Sequence, residues 1–308
     1  MDQEEKRIDA RRLFEGLCDH DGADARAEVV APWLDRVENA YRAGNGYRAE
    51  LSAGVARLCR QVPARPDEEQ RNLVWELYAL SRVSDVLLLA FQPPADTAGE
   101  EPWARRLPPT AQWPALSMAH YLELFTRLGM VPFAEVEAFD PFLHEIVDVE
   151  QAESPDEPVR ITEAVWPGLW LGPLLFSRAG VRVRAGAHHA ERGVADRSPL
   201  YWSFLRRHRP TIDQSLGWGH NSQWRTDLRL DYRTDEGEFV NMLADTDADA
   251  DADLDSVNAL LTSAERRDLV RHRCLLRTPA NAARLAEHPD WQADLYPFDW
   301  QIPSGGAE

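Results

Sequence analysis

The stretch from Asp67 to Phe91 constrains the fold more than any other part of the chain. Asp67 follows Pro66 and stands three residues before Gln70. At that spacing the two side chains can each satisfy a free backbone N–H at a helix start. Leu73, Leu77, Leu80 and Leu87 follow at helical intervals, and Val86-Leu87-Leu88-Leu89-Ala90-Phe91 is apolar on every face. A helix end without a polar side has to be enclosed, so this segment is expected to be the central rod of a bundle. Gln92-Pro93-Pro94 is expected to stop it.

Neighbouring segments supply the enclosure. Trp33, Leu34, Val37 and Tyr41 form one stripe at spacings of three and four, and Tyr47, Leu51, Val55 and Leu58 form a second. Gly44-Asn45-Gly46 turns between them. After a proline-rich loop reaching Pro114, Tyr121, Leu122, Phe125 and Leu128 mark another helix, closed by Gly129. Nothing in this half points to catalysis: His20 and His120 are isolated, and a lone histidine is more often structural than a ligand.

At Pro132 the period changes. Leu143 to Gln151 alternates, which puts Leu143, Glu145, Val147 and Val149 on one face and His144, Ile146, Asp148 and Glu150 on the other. Val159 to Trp166, Leu169 to Ser177 and Val181 to Arg184 read as further strands. Ser198-Pro199 opens a short helix over Leu200, Phe204 and Leu205. Leu228 to Tyr232 and Glu238 to Met242 read as a hairpin turned by Asp235-Glu236-Gly237. Residues 245–255 alternate aspartate with small residues, but a calcium loop would need a glycine where Ala252 stands and a bidentate carboxylate where Asn258 stands. A solvated acidic linker is the simpler reading, followed by an amphipathic helix over 263–276. The expected fold class is α+β: a helical bundle over 1–131 packed on a smaller mixed α/β domain with an antiparallel sheet over 132–243. The acidic linker, C-terminal helix and tail occupy 244–308.

Charge narrows the partners. The 308-residue chain carries a formal charge of −18, which argues against non-specific binding to nucleic acid or an anionic membrane. Cys18, Cys59 and Cys274 are odd in number and far apart, which suggests a reducing compartment. The acidic start Met1-Asp2-Gln3-Glu4-Glu5 does not resemble a secretory signal. The apolar runs Val86 to Phe91 and Gly168 to Phe176 fall well short of the roughly 20 residues of a membrane span. A cytoplasmic protein is therefore expected. No phosphate-binding glycine loop and no metal-ligand spacing occurs, so no metal is expected and the sequence specifies no cofactor.

One segment departs from the acidic background. From Arg178 to Arg209 there are eight arginines (178, 182, 184, 192, 197, 206, 207 and 209) against Glu191 and Asp196, a balance of about +6. Shortly after it comes Gly217-Trp218-Gly219-His220-Asn221-Ser222-Gln223-Trp224-Arg225-Thr226-Asp227, a run without one aliphatic residue. Guanidinium forks grip carboxylates and phosphates, and indoles stack on planar rings. The first reading is therefore a binding protein for an anionic small molecule or protein partner, such as a nucleotide, a phosphorylated metabolite or an acidic peptide. Arg206, Arg207, Arg209 and Arg225 would neutralise charge, Trp218 and Trp224 would stack, and His220, Asn221 and Gln223 would orient. It requires the guanidinium groups to gather around an open pocket; the competing expectation is internal pairing with carboxylates.

Two other classes stay in play. An enzyme could use His220 as general acid or base, with Asp227 or Glu163 as its partner. Ser222 adds the third residue type of a hydrolytic triad, but the G-x-S-x-G elbow is missing. An immunity-like interaction protein would instead bind a basic partner through its acidic surface.

Overall fold

The computed structural model describes residues 10–40, 46–60, 67–92, 114–134, 138–193, 195–197, 229–243 and 300–303. The fold class is α+β. Five α-helices occupy the first part of the described chain and nine strands the rest, and the chain clusters into two compact units, one holding most of the residues up to Pro132 and the other most of those from Phe133.

In the helical unit, α1 (Ala10–Cys18) buries Leu13, Phe14 and Leu17, the inner stripe of a short amphipathic helix. A π-helical turn, Arg26–Val30, leads into α2 (Ala31–Ala40), and α3 (Tyr47–Leu58) follows. Trp33, Leu34, Val37, Tyr47, Leu51, Val55 and Leu58 are all buried, as their spacing requires. The rod is α4 (Glu68–Leu88), opened by a complete capping box: Asp67 accepts from the Gln70 N–H, and Gln70 accepts from the Asp67 N–H. Such a cap contributes about 1 kcal/mol. From Arg82 to Leu88 every side chain is buried, but the helix ends at Leu88, short of the expected stop at Gln92. Phe91 and Gln92 instead close single turns onto Leu88 and Leu89. Ser117 caps α5 (Met118–Arg127) by accepting from the His120 N–H, and Gly129 ends it at φ +98°, a backbone conformation that a Cβ disfavours.

The rod also carries polar groups into this core. Arg82 is fully buried, with Nη1 3.6 Å from Asp85 and its guanidinium 5.4 Å from the centre of the Phe14 ring. The Ser84 and Tyr121 hydroxyls meet at 2.9 Å, which satisfies both in a region that water does not reach.

The strands of the second unit form two sheets. The larger has the order β1-β4-β5-β7-β8-β9, built from β1 (Val131–Phe133), β4 (Gly168–Leu171), β5 (Leu174–Ser177), β7 (Arg229–Thr234), β8 (Gly237–Leu243) and β9 (Trp300–Pro303). The segment expected as one strand from Leu169 to Ser177 is two, β4 and β5. Gly172 turns the chain at φ +58° and Pro173 supplies the fixed negative φ that follows in a tight hairpin. The β7–β8 hairpin turns at Asp235-Glu236, with Thr234 opposite Gly237.

The smaller sheet has the order β2-β6-β3, from β2 (His144–Gln151), β6 (Ala179–Ala185) and β3 (Arg160–Trp166). It is mixed, not purely antiparallel: β2 runs parallel to β6, while β3 runs antiparallel to it. Strict alternation along β2 also fails. The register slips between Ile146 and Asp148, a β-bulge that brings Ile146 and Val149 to the same face. Those two side chains then pack with Val181, Val183, Ala185, Ala190 and Ala195 in one apolar cluster. The short helix expected after Ser198, the acidic linker and the helix expected over 263–276 lie outside the described residues.

Candidate functional site

The residues singled out for recognition and catalysis, namely Arg206, Arg207, Arg209, Trp218, His220, Asn221, Gln223, Trp224, Arg225 and Asp227, lie outside the described residues. The first half of the basic segment is described, and there the competing expectation holds. Arg178, Arg182 and Arg184 are engaged by carboxylates of the same unit.

The geometry follows from the strand pairing. On β6 the apolar side chains Val181, Val183 and Ala185 face the cluster, so Arg182 and Arg184 emerge on the opposite face. The parallel neighbour β2 sets Asp148 beside Arg182 and Glu150 beside Arg184. Arg182 Nε donates to Asp148 at 3.0 Å, and its Nη1 reaches Glu163 on β3. Arg184 Nη1 donates to Glu150, and its Nε donates to Glu157 at 3.0 Å. Arg160 donates to the same Glu157 oxygen at 2.7 Å. Hydrogen bonds from Arg160 and then Arg184 hold the Glu157 carboxyl below the usual carboxylate range, while those to Glu157 and Glu150 push the Arg184 guanidinium up. Arg192 lies 3.9 Å from Asp148 and completes a face of alternating sign.

The loop after β6 is locked to the one after β2. Gln151 donates to the carbonyls of Ala185 and Ala190 and accepts from the Arg192 N–H. His188 meets Asp156 at 2.8 Å on the surface. Among the described residues no three histidine, cysteine or acidic side chains come together in a way that could hold a metal ion.

Arg178 plays a different part. It joins β5 to β6, the crossing from the large sheet to the small one, and only 13 % of its side chain is exposed. Its Nε donates to the Pro141 carbonyl at 3.1 Å and its Nη2 lies 2.9 Å from Asp231 on β7. Asp231 in turn accepts from the N–H of Asn241, which sits at φ +52° where the β7–β8 register slips. Beside this pair, Arg233 lies over the rings of Phe142 and Trp170, 5.3 and 5.6 Å from their centres, and its charge is matched by Glu238. These arginines tie strands and turns together.

Reading the basic segment by itself overlooked Asp148, Glu150, Glu157, Glu163 and Asp231. A signal for two of them was present: Asp148 and Glu150 stand two apart on one strand, as do Arg182 and Arg184 on another, so adjacent pairing matches charge to charge. Glu157, Glu163 and Asp231 carry no comparable sequence spacing. No family model, curated protein or solved structure matched the chain in the comparisons made.

Proposed function

We propose that the protein recognises an anionic ligand or partner, such as a nucleotide, a phosphorylated metabolite or an acidic peptide, through the residues from Arg206 to Asp227. The observation that supports this reading is one of charge accounting. Arg178, Arg182 and Arg184 each stand close beside a carboxylate, while Arg192 is largely exposed and lies 3.9 Å from Asp148. Residues 198–228 contain Arg206, Arg207, Arg209 and Arg225 against Asp213 and Asp227, a local surplus of positive charge beside Trp218 and Trp224. Guanidinium next to indole is the side-chain set that suits a planar anion.

The test is a thermal-shift screen against nucleotides, sugar phosphates and an acidic peptide. A ligand held at a hundredfold over its dissociation constant adds about 2.7 kcal/mol to the native state. The shift should shrink with added salt and in an Arg206→Ala/Arg207→Ala variant. Binding indifferent to both would count against the reading. His220→Ala then separates recognition from catalysis, since loss of turnover with affinity preserved would mark His220 as an acid or base. The formal charge of −18 favours a second reading, capture of a basic partner by the acidic surface, whose salt-sensitive binding would not respond to substitution of Trp218 or His220.

A further inference from the structure

We infer that the turn from Phe139 to Leu143 is an acid-released latch, held shut by the neutral imidazole of His144 and opened when that ring takes up a proton. The latch rests on which atom donates in one hydrogen bond.

His144 opens β2 and is buried, with a side chain that lies against the apolar side of the small sheet. Its Nδ1 is 3.0 Å from the backbone N of Asp140, four residues earlier. A backbone amide can only donate, so Nδ1 must present its lone pair and the ring must be neutral, with its proton on Nε2. The same aspartate closes the rest of the turn. Its carbonyl accepts from the Leu143 and His144 N–H groups at 3.0 and 2.8 Å, and its carboxylate accepts from the Phe142 N–H at 2.9 Å. The Phe139 ring stacks on the imidazole, with centroids 6.0 Å apart and planes at 28°, and packs against the Ile146–Val149–Val181 cluster.

Protonation reverses the chemistry at the critical point. An N–H on Nδ1 would face the N–H of Asp140, donor against donor, in a buried place where a charge is poorly solvated. The groups around the ring offset this only in part. Burial holds the imidazole below its ordinary range, against opposing pulls from the Asp140 carboxylate and from a hydrogen bond with the Asp140 backbone. On β6 the residue opposite His144 is Ala179, and the guanidinium of the adjoining Arg178 is directed to Pro141 and Asp231. Glu145, a buried acid, is the next residue along the strand.

Release has a defined reach. Pro141 carries the carbonyl that holds Arg178, and Phe142 carries the ring under Arg233. Through these two contacts the turn bears on β7, so opening removes support from Asp231 and Arg233 while the β2–β6 pairing can persist.

The test is amide exchange and imidazole nitrogen NMR on the full chain. Near neutral pH the His144 ring should show Nδ1 as the unprotonated nitrogen; the opposite tautomer would overturn the proposal. As pH falls below the ordinary histidine range, protection of the Asp140 amide relative to Val183 in the central strand should drop by about tenfold per pH unit. His144→Asn keeps an acceptor near the Nδ1 position and removes the titration, so its ratio should stay flat. A wild-type ratio that stays constant to about pH 5, or equal loss at Asp140 and Val183 from global unfolding, would refute the latch even if the variant does not fold.

Discussion

Arg178 is the side chain whose removal should be felt furthest. Arg178→Met preserves much of the aliphatic stem and deletes the guanidinium, which costs the contact with Asp231 at 2.9 Å and the bond to Pro141 at 3.1 Å. An interaction with a charged partner in a largely dry site is worth about 1.5–3 kcal/mol, and leaving the Pro141 carbonyl without this donor adds about 1 kcal/mol. The expected loss is therefore about 3 kcal/mol, at the lower edge of the range for breaking a buried pair. Asp231 keeps the Asn241 N–H, so its carboxylate is not left bare. Urea unfolding should show the loss, and a thermal scan should show a fall of roughly 6–12 °C, at about 2–4 °C per kcal/mol for a domain of this size class. Asp231→Asn retains an oxygen for Asn241 but strands the buried guanidinium, and should cost about 2–3 kcal/mol by the same reasoning. The double variant should fall short of the sum by about 2 kcal/mol, because each single change already breaks the shared contact. Single losses below about 0.5 kcal/mol, together with simple additivity, would show that the pair does not brace the two sheets.

At Gly186 a Cβ would lie 2.2 Å from the Pro155 carbonyl oxygen, which is backbone and cannot swing aside. Gly186→Ala should destabilise by about 1–3 kcal/mol or more through overpacking, whereas Gly172→Ala has open space and should cost about 1 kcal/mol for its positive φ, both read by urea unfolding. Burial pushes the Cys18 and Cys59 thiols up to about 12, so at pH 8 only about one in ten thousand of each is thiolate. Labelling of these two by a thiol reagent should stay slow until denaturant is added, and rapid native labelling would contradict the burial. For His144, a folded value depressed by burial means that the unfolded chain binds the proton more tightly. Its stabilising contribution is complete above the ordinary histidine range and is lost as pH falls through that range towards the folded value; His144→Asn should flatten this part of a stability–pH curve.

The exposed ion pairs of the small sheet behave differently from Arg178. With side chains about a third exposed at Arg182 and Arg184, each is worth little by itself, and substituting either should change stability by less than about 1 kcal/mol. Their consequence is to neutralise the strand, which leaves it little net positive charge to attract an anionic partner.

What the amino-acid order determined is what depends on neighbours a few residues apart. Asp67 and Gln70 define a helix start because the capping bonds close within one turn. The stripes Trp33-Leu34-Val37 and Tyr47-Leu51-Val55-Leu58 declare their buried faces, and Asp235-Glu236-Gly237 marks a hairpin, for the same local reason. The tertiary structure decided everything that needed a partner distant in sequence. Alternation along β2 could not reveal the bulge between Ile146 and Asp148, because only pairing with β6 defines the register there. Nor could the count of arginines from Arg178 onward show that Asp148, Glu150, Glu157 and Asp231 would lie beside them, since three of these acids stand 27 to 34 residues away and Asp231 lies on a later strand. Charge is legible in sequence as a sum, but its availability depends on distance, and distance between strands is set only when the sheets form.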